Sequence, residues 1–226
     1  ASPVLGLPQE EPLFTIKQYP VKLFEGFSTG SRNMIIVKKS DKNLFEIRVN
    51  EFSNPQNAIH INGKSTNEII AILEKYSSEI IRRMRNTEIE AAQKIITDSV
   101  QDTKKIKVKF NIDLDIPSQY EYVMRRKNFI WLKKEITSGN ASLVIYQVPY
   151  KSIHNYNTVN DIVRTRDSIG KLYIHAKGNR ARMLAEEAYS PYFTKIKFND
   201  YNVFETKGTW QMNNDFMSGP FINYAI

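Results

Sequence analysis

Apolar positions along this chain change period several times, and each change predicts an element. Ile69, Leu73, Tyr76, Ile80 and Met84 recur at steps of four and three, which puts them on one stripe of a helix over residues 65–99. Ser65-Thr66-Asn67-Glu68 reads as a capping box, in which the Ser65 hydroxyl accepts from the Glu68 amide and the Glu68 carboxylate reaches back to the Ser65 amide. Asn86-Thr87 before Glu88-Ile89-Glu90 offers a second cap, so a break or kink is expected near Asn86. Ahead of the helix, residues 14–19 alternate and read as a strand ended by Pro20, and residues 24–31, with Gly26 and Gly30, read as a loop. Residues 34–38 and 44–52 read as the two strands of one hairpin around Asp41-Lys42-Asn43, with Phe45, Ile47 and Val49 on one face. A short run at 58–61 and the turn Asn62-Gly63 lead into the helix.

A second pass begins at Ile106. Lys105, Lys107 and Lys109 alternate with Ile106, Val108 and Phe110, the pattern of a half-buried strand over 106–114 with its lysines in solvent. Residues 128–134 and 142–148 read as strands joined by Ser138-Gly139-Asn140. A helix starts near Thr158, capped by Thr158-x-x-Asp161, striped by Val159, Ile162, Val163 and Ile169, and ended by Gly170. Residues 32–39 match residues 127–134 class by class, and Asn67-Glu68-Ile69-Ile70 matches Asn160-Asp161-Ile162-Val163. Either two ββα units share an ancestor or buried strands between basic residues simply look alike. From Leu172 onward, residues 178–185 read as a basic linker or short helix. Strands follow at 193–198, 202–212 and 221–226, separated by Asn199-Asp200 and Asn213-Asn214-Asp215, a meander extending the second unit's sheet. The expectation is an α+β fold with antiparallel sheets, two ββα-like units and a C-terminal β meander, divided into residues 1–104 and 105–226.

Composition changes this picture little. Hydrophobic residues make up 41% and charged residues 25% of the 226, an ordinary globular balance. Apolar runs reach only four residues, Met34-Ile35-Ile36-Val37 and Phe129-Ile130-Trp131-Leu132, against the ~20 a membrane helix needs. The lack of cysteine removes disulfides, Cys-ligated metals and thiol nucleophiles from this stretch. The chain starts at Ala1 without an initiator methionine, so any leader is expected to be missing from it, and the strand-like end at 220–226 is expected to continue.

A net charge of +8 invites an anionic partner. Most lysines are spread, and the tightest groups are Arg82-Arg83-Met84-Arg85, Arg125-Arg126-Lys127 and the run at 177–182. Arg125, Arg126, Lys127, Arg180 and Arg182 form the candidate basic patch, whose bland alternative is solvated surface. No catalytic residue, metal site or cofactor motif is identified. His60, His154 and His175 lie far apart, with His60 expected on the polar face of its strand, and Asp113 with Asp115 reads as charge balance for nearby lysines. Aromatics concentrate at the C-terminus. Trp210, Phe216, Tyr189 and Tyr192, with the Gly219-Pro220 turn, are the candidate ligand or partner surface, against the simpler reading of strand aromatics as core.

The text at residues 7–14 and 207–221, with Gln56, the Asn128 strand and Pro149-Tyr150, resembles a DUF4837-like domain-of-unknown-function family of Bacteroidetes lipoproteins. That resemblance covers most of the chain. It implies a signal peptide and lipid-anchored cysteine upstream, a periplasm-facing or surface location, and no established activity. The functional expectation is a non-enzymatic cell-envelope component that binds or assembles with a protein partner. It touches membrane only through that upstream anchor and takes no nucleic acid. The alternative is a carbohydrate- or small-ligand-binding module, or an enzyme, using the C-terminal aromatics.

Overall fold

The computed structural model describes residues 4–7, 11–175, 181–198 and 200–226. Contacts gather the chain into two compact units, Gln18–Gln147 and the pair Ala1–Lys17 with Val148–Ile226.

In the Gln18–Gln147 unit, β1 (Asn33–Lys39), β2 (Leu44–Val49) and β3 (Asn57–Gly63) form a sheet ordered β1-β3-β2. The expected hairpin does not form. β3 lies between its two arms, parallel to β1 and antiparallel to β2. The physical reason is burial: Ala58, Ile59 and Ile61 are fully enclosed, so β3 is apolar on both faces and takes the centre, while β1 and β2 keep polar residues for the edges. Residues 14–19 form no strand, a 3₁₀ turn at Gly26–Gly30 lies within the expected loop, and another at Val21–Leu23 precedes it.

Helix α1 (Thr66–Thr97) begins as the capping pattern predicts, with the Ser65 hydroxyl accepting from the Glu68 amide at 3.3 Å. The Glu68 carboxylate reaches the Lys64 amide rather than that of Ser65. The helix continues unbroken past Asn86. Thr87 there donates to the Arg83 carbonyl and accepts from the Asn57 side chain, which ties this turn to β3. The expected stripe is the buried one: Ile80 and Met84 are enclosed, and Tyr76 stacks on Phe45 with ring centroids 3.9 Å apart. A Cβ on Gly63 would meet Ile69 at 2.8 Å, so the strand-to-helix approach needs glycine.

Residues 104–110 form a helix, α2 (Lys104–Phe110), where alternation predicts a strand. Ile106 and Phe110 are four apart and so share one helical face. Ile106 is fully buried, whereas Val108 is 89% exposed. Asn111, left-handed at φ 55°, ends the helix with its amide on the Lys107 carbonyl. α2 covers an antiparallel meander of β4 (Glu121–Arg126), β5 (Phe129–Ile136) and β6 (Gly139–Tyr146). The core between them is Ile106, Ile116, Ile130, Leu132 and Ile145. β4 has no counterpart in the sequence reading, because its basic end masks its alternation.

The other unit holds α3 (Thr158–Tyr173), β7 (Met183–Ala185), β8 (Tyr192–Phe198), β9 (Tyr201–Met212) and β10 (Ser218–Ala225). β9 is central, with β10 along one edge and β8 and β7 sharing the other. This meander is a sheet of its own and does not extend β4-β5-β6. Gly170 does not end α3: it sits against the Met183 carbonyl, where a Cβ would overlap the oxygen. The expected turn at Asn199 and residues 177–180 of the basic run at 177–182 lie outside the described residues.

The fold is therefore α+β, with sheets antiparallel except for β1-β3 and a C-terminal strand meander. Strands precede a helix in both passes, yet the matched segments sit differently: β1 is an edge strand and β5 a central one. The local likeness of the text does not carry over to topology.

Candidate functional site

The C-terminal sheet positions the aromatic candidates, and strand alternation sorts them. Trp210 pairs with Gly219 across β9 and β10 and shares its face with Thr206, Gly208 and Met212. A Cβ on Gly219 would lie 3.1 Å from the indole Nε1, so the ring lies over the glycine backbone. Two positions on, the Phe221 ring covers Gly208, and the buried Arg166 guanidinium lies 3.9 Å from the Phe221 centroid. This is a packed face.

Tyr192 pairs with Lys207 and so belongs to the opposite face from Trp210. With Tyr189, Ala188, Ser190 and Pro191 it lines an open cleft of about 450 Å³, whose other wall is Gly6 and Leu7. Gly6, at φ +87°, rests on Lys207 so closely that a Cβ would clash. Tyr189 and Tyr192 are 50% and 40% exposed there. Phe216 joins neither group. It projects from the β9–β10 turn fully exposed, beside Met217, while Asn214 adopts φ 62° to close the turn. Pro220 is exposed on the edge strand β10, where it removes one N–H that a further strand would need. The six candidates thus occupy a packed face, a cleft, a hairpin tip and, for Pro220, an exposed sheet edge.

The basic candidates divide as well. Arg125, Arg126 and Lys127 are exposed at the β4–β5 turn. Arg125 lies over the Tyr122 ring at 3.6 Å, and Lys109 of α2 donates to the Arg126 carbonyl. Arg182 belongs to the other unit, where its amide donates to Asn213. Arg180 lies outside the described residues.

Two histidine–carboxylate pairs escape the sequence reading. His154 Nδ1 lies 2.8 Å from Asp161 Oδ2, and Asp161 also accepts from the His154 amide and the Asn157 side chain. Hydrogen bonds from the His154 side chain and amide hold the Asp161 carboxyl below the usual aspartate range. The signal available was Asp161 four residues past Asn157, a position from which a first-turn carboxylate can gather the preceding loop. His60, half-buried, lies 2.5 Å from Glu51, which also accepts from Arg48. Burial pushes the Glu51 carboxyl up, but the bonds from His60 and Arg48 outweigh it and leave it low. Neither imidazole is hydrogen-bonded to a hydroxyl nucleophile among the described residues. Nor do three or more histidine, aspartate or glutamate side chains gather around a metal-sized space there.

Fold and surfaces together define an α+β protein with antiparallel sheets whose exposed features are a basic turn, a tyrosine cleft and an aromatic hairpin. It belongs to the domain-of-unknown-function family DUF4837, whose model matches residues 99–226, and residues 1–97 match a second domain of unknown function, DUF8532. The likeness carried by the N-terminal text thus falls on a different family model from the C-terminal one. No curated protein and no solved structure matches the chain.

Proposed function

We propose that this chain is a non-enzymatic binding or assembly component of the bacterial cell envelope. In this reading it is held at a periplasm-facing or outer surface by a lipid anchor upstream of Ala1. The observation that carries it is the β9–β10 hairpin, which ends in fully exposed Phe216 beside half-exposed Met217. A phenyl ring in water forgoes about 2 kcal/mol that burial against a partner would return, and aromatic anchors of this kind dominate protein interfaces. The test is a photocrosslinking residue at position 216 in the anchored protein in intact cells, with position 42 as control. A discrete adduct at 216 alone, lost on Met217→Ser, supports a protein partner. Identical patterns at both positions would rule the hairpin out.

A second reading rests on the tyrosine cleft. Tyr189 and Tyr192 beside an open space of about 450 Å³ suit stacking against a sugar or similar small ligand. Binding of an oligosaccharide that Tyr189→Ala abolishes, with thermal stability unchanged, would favour it over the hairpin.

A further inference from the structure

We infer that α2 and the β4–β5 turn form a docking face for an anionic phospholipid bilayer, independent of the hairpin and of any lipid anchor. Sequence places Lys104, Lys105, Lys107 and Lys109 some sixteen or more positions from Arg125, Arg126 and Lys127, so their proximity is invisible there. The structure joins them. The Lys109 ammonium donates to the Arg126 carbonyl, which sets the end of α2 against the turn. Arg125 pairs with Ile130, so it lies on the sheet face that α2 covers, and its guanidinium caps the Tyr122 ring, whereas Arg126 pairs with Phe129 on the other face and reaches the turn through its backbone carbonyl.

Against these seven cations, residues 104–127 carry three carboxylates, Asp113, Asp115 and Glu121. The excess of four is half of the chain's +8. Among the described residues, Lys107 alone of the seven is held in a side-chain ion pair, with Asp113. Lys104, Lys105, Arg125, Arg126 and Lys127 are exposed. Arg125 and Arg126 make no carboxylate bond among the described residues.

The feature that selects a bilayer over a nucleic acid is Val108. It is 89% exposed between Lys107 and Lys109 on the outer side of α2, with Ile106 and Phe110 turned into the core. An aliphatic side chain ringed by ammonium groups fits an interface where phosphates meet acyl chains. A phosphodiester groove would leave it in water. Of the aromatics around α2, Phe110 and Tyr120 pack on the core, and Tyr122 is covered by Arg125 and donates to the Asp102 carbonyl, so none offers a free ring for base stacking.

The test is flotation of the whole 226-residue chain, without a lipid anchor, on vesicles of phosphatidylcholine alone or with 30% phosphatidylglycerol. Expected is binding that requires phosphatidylglycerol and falls steeply between 50 mM and 500 mM salt. Lys105→Gln and Lys127→Gln change exposed side chains and leave the Lys109 and Asp113 contacts in place. Each should weaken partitioning about fivefold, whereas Lys42→Gln, on the β1–β2 turn, should not. Val108→Ser should weaken it further at constant charge. Equal binding to both vesicle types, equal loss with Lys42→Gln, or tighter binding to a single- or double-stranded DNA oligomer that competes with vesicles would each overturn the assignment.

Discussion

Gln56 shows how one polar side chain can organise a loop. It is 1% exposed and spends its whole amide. Nε2 donates to the Thr29 and Ser31 carbonyls and to Ser53, and Oε1 accepts from the Phe52 amide. A buried amide is tolerated because it satisfies backbone groups that would otherwise be orphaned. Gln56→Leu keeps the volume and removes those partners, so we expect a loss of about 3 kcal/mol, read as a drop in the denaturation midpoint. Gly170→Ala should also destabilise, by about 1–3 kcal/mol, because the new methyl meets the Met183 carbonyl. Neither role was legible in the sequence. Two of the partners of Gln56, Thr29 and Ser31, lie more than twenty residues earlier, and Gly170 looked like a helix stop because close packing of a helix leaves no local mark.

Helix α2 separates the two periodicities most sharply. In a strand over 106–114, Ile106, Val108 and Phe110 would share one buried face; in the helix only Ile106 and Phe110 do. Ile106→Ala should therefore cost about 3 kcal/mol, while Val108→Thr should stay within about 0.5 kcal/mol. Urea denaturation of both variants decides it, since a strand would make both costly. Seven residues hold too few periods to tell a step of two from a step of four, which is why α1, with five stripe positions, was readable and α2 was not. At the start of α3, Asp161 gives a pH signature. Its carboxyl is held low in the fold by His154, so in acid the unfolded chain takes up the proton first and folding loses the benefit. Stability should thus be fully present above the ordinary aspartate range and decline as the pH falls through and below it. Asp161→Asn should flatten that part of a thermal-midpoint profile between pH 6 and pH 3.

At the scale of the molecule, three divisions of the chain bear on one another. Alternation and repeat placed a boundary at 104–105, the family models meet between 97 and 99, and contacts cut at 17–18 and 147–148. Contacts join what sequence order separates, so a unit assembled from both ends of a chain leaves no boundary signal in composition. The aromatic candidates were scattered for a similar reason: Trp210 and Tyr192 were grouped by type, and only the register of β8 and β9 reveals their opposite faces. The family boundary has a physical basis that the one at 104–105 lacks. Ser99 accepts from the Ser118 amide, the Gln101 amide and side chain bond Ile116 and Tyr120, and the Asp102 carbonyl receives the Tyr122 hydroxyl. The Thr103 carbonyl in turn holds the amides of Ile106 and Lys107 at the head of α2. A fragment starting at residue 99 keeps all of these around the Ile106 core; one starting at 105 keeps none. At about 1 kcal/mol for each of these six bonds, the shorter fragment should be less stable by about 6 kcal/mol. Matched chemical denaturation of 99–226 and 105–226 measures the difference. Equal midpoints would mean that residues 99–104 hold nothing in place and that the α2 core stands without its lead-in.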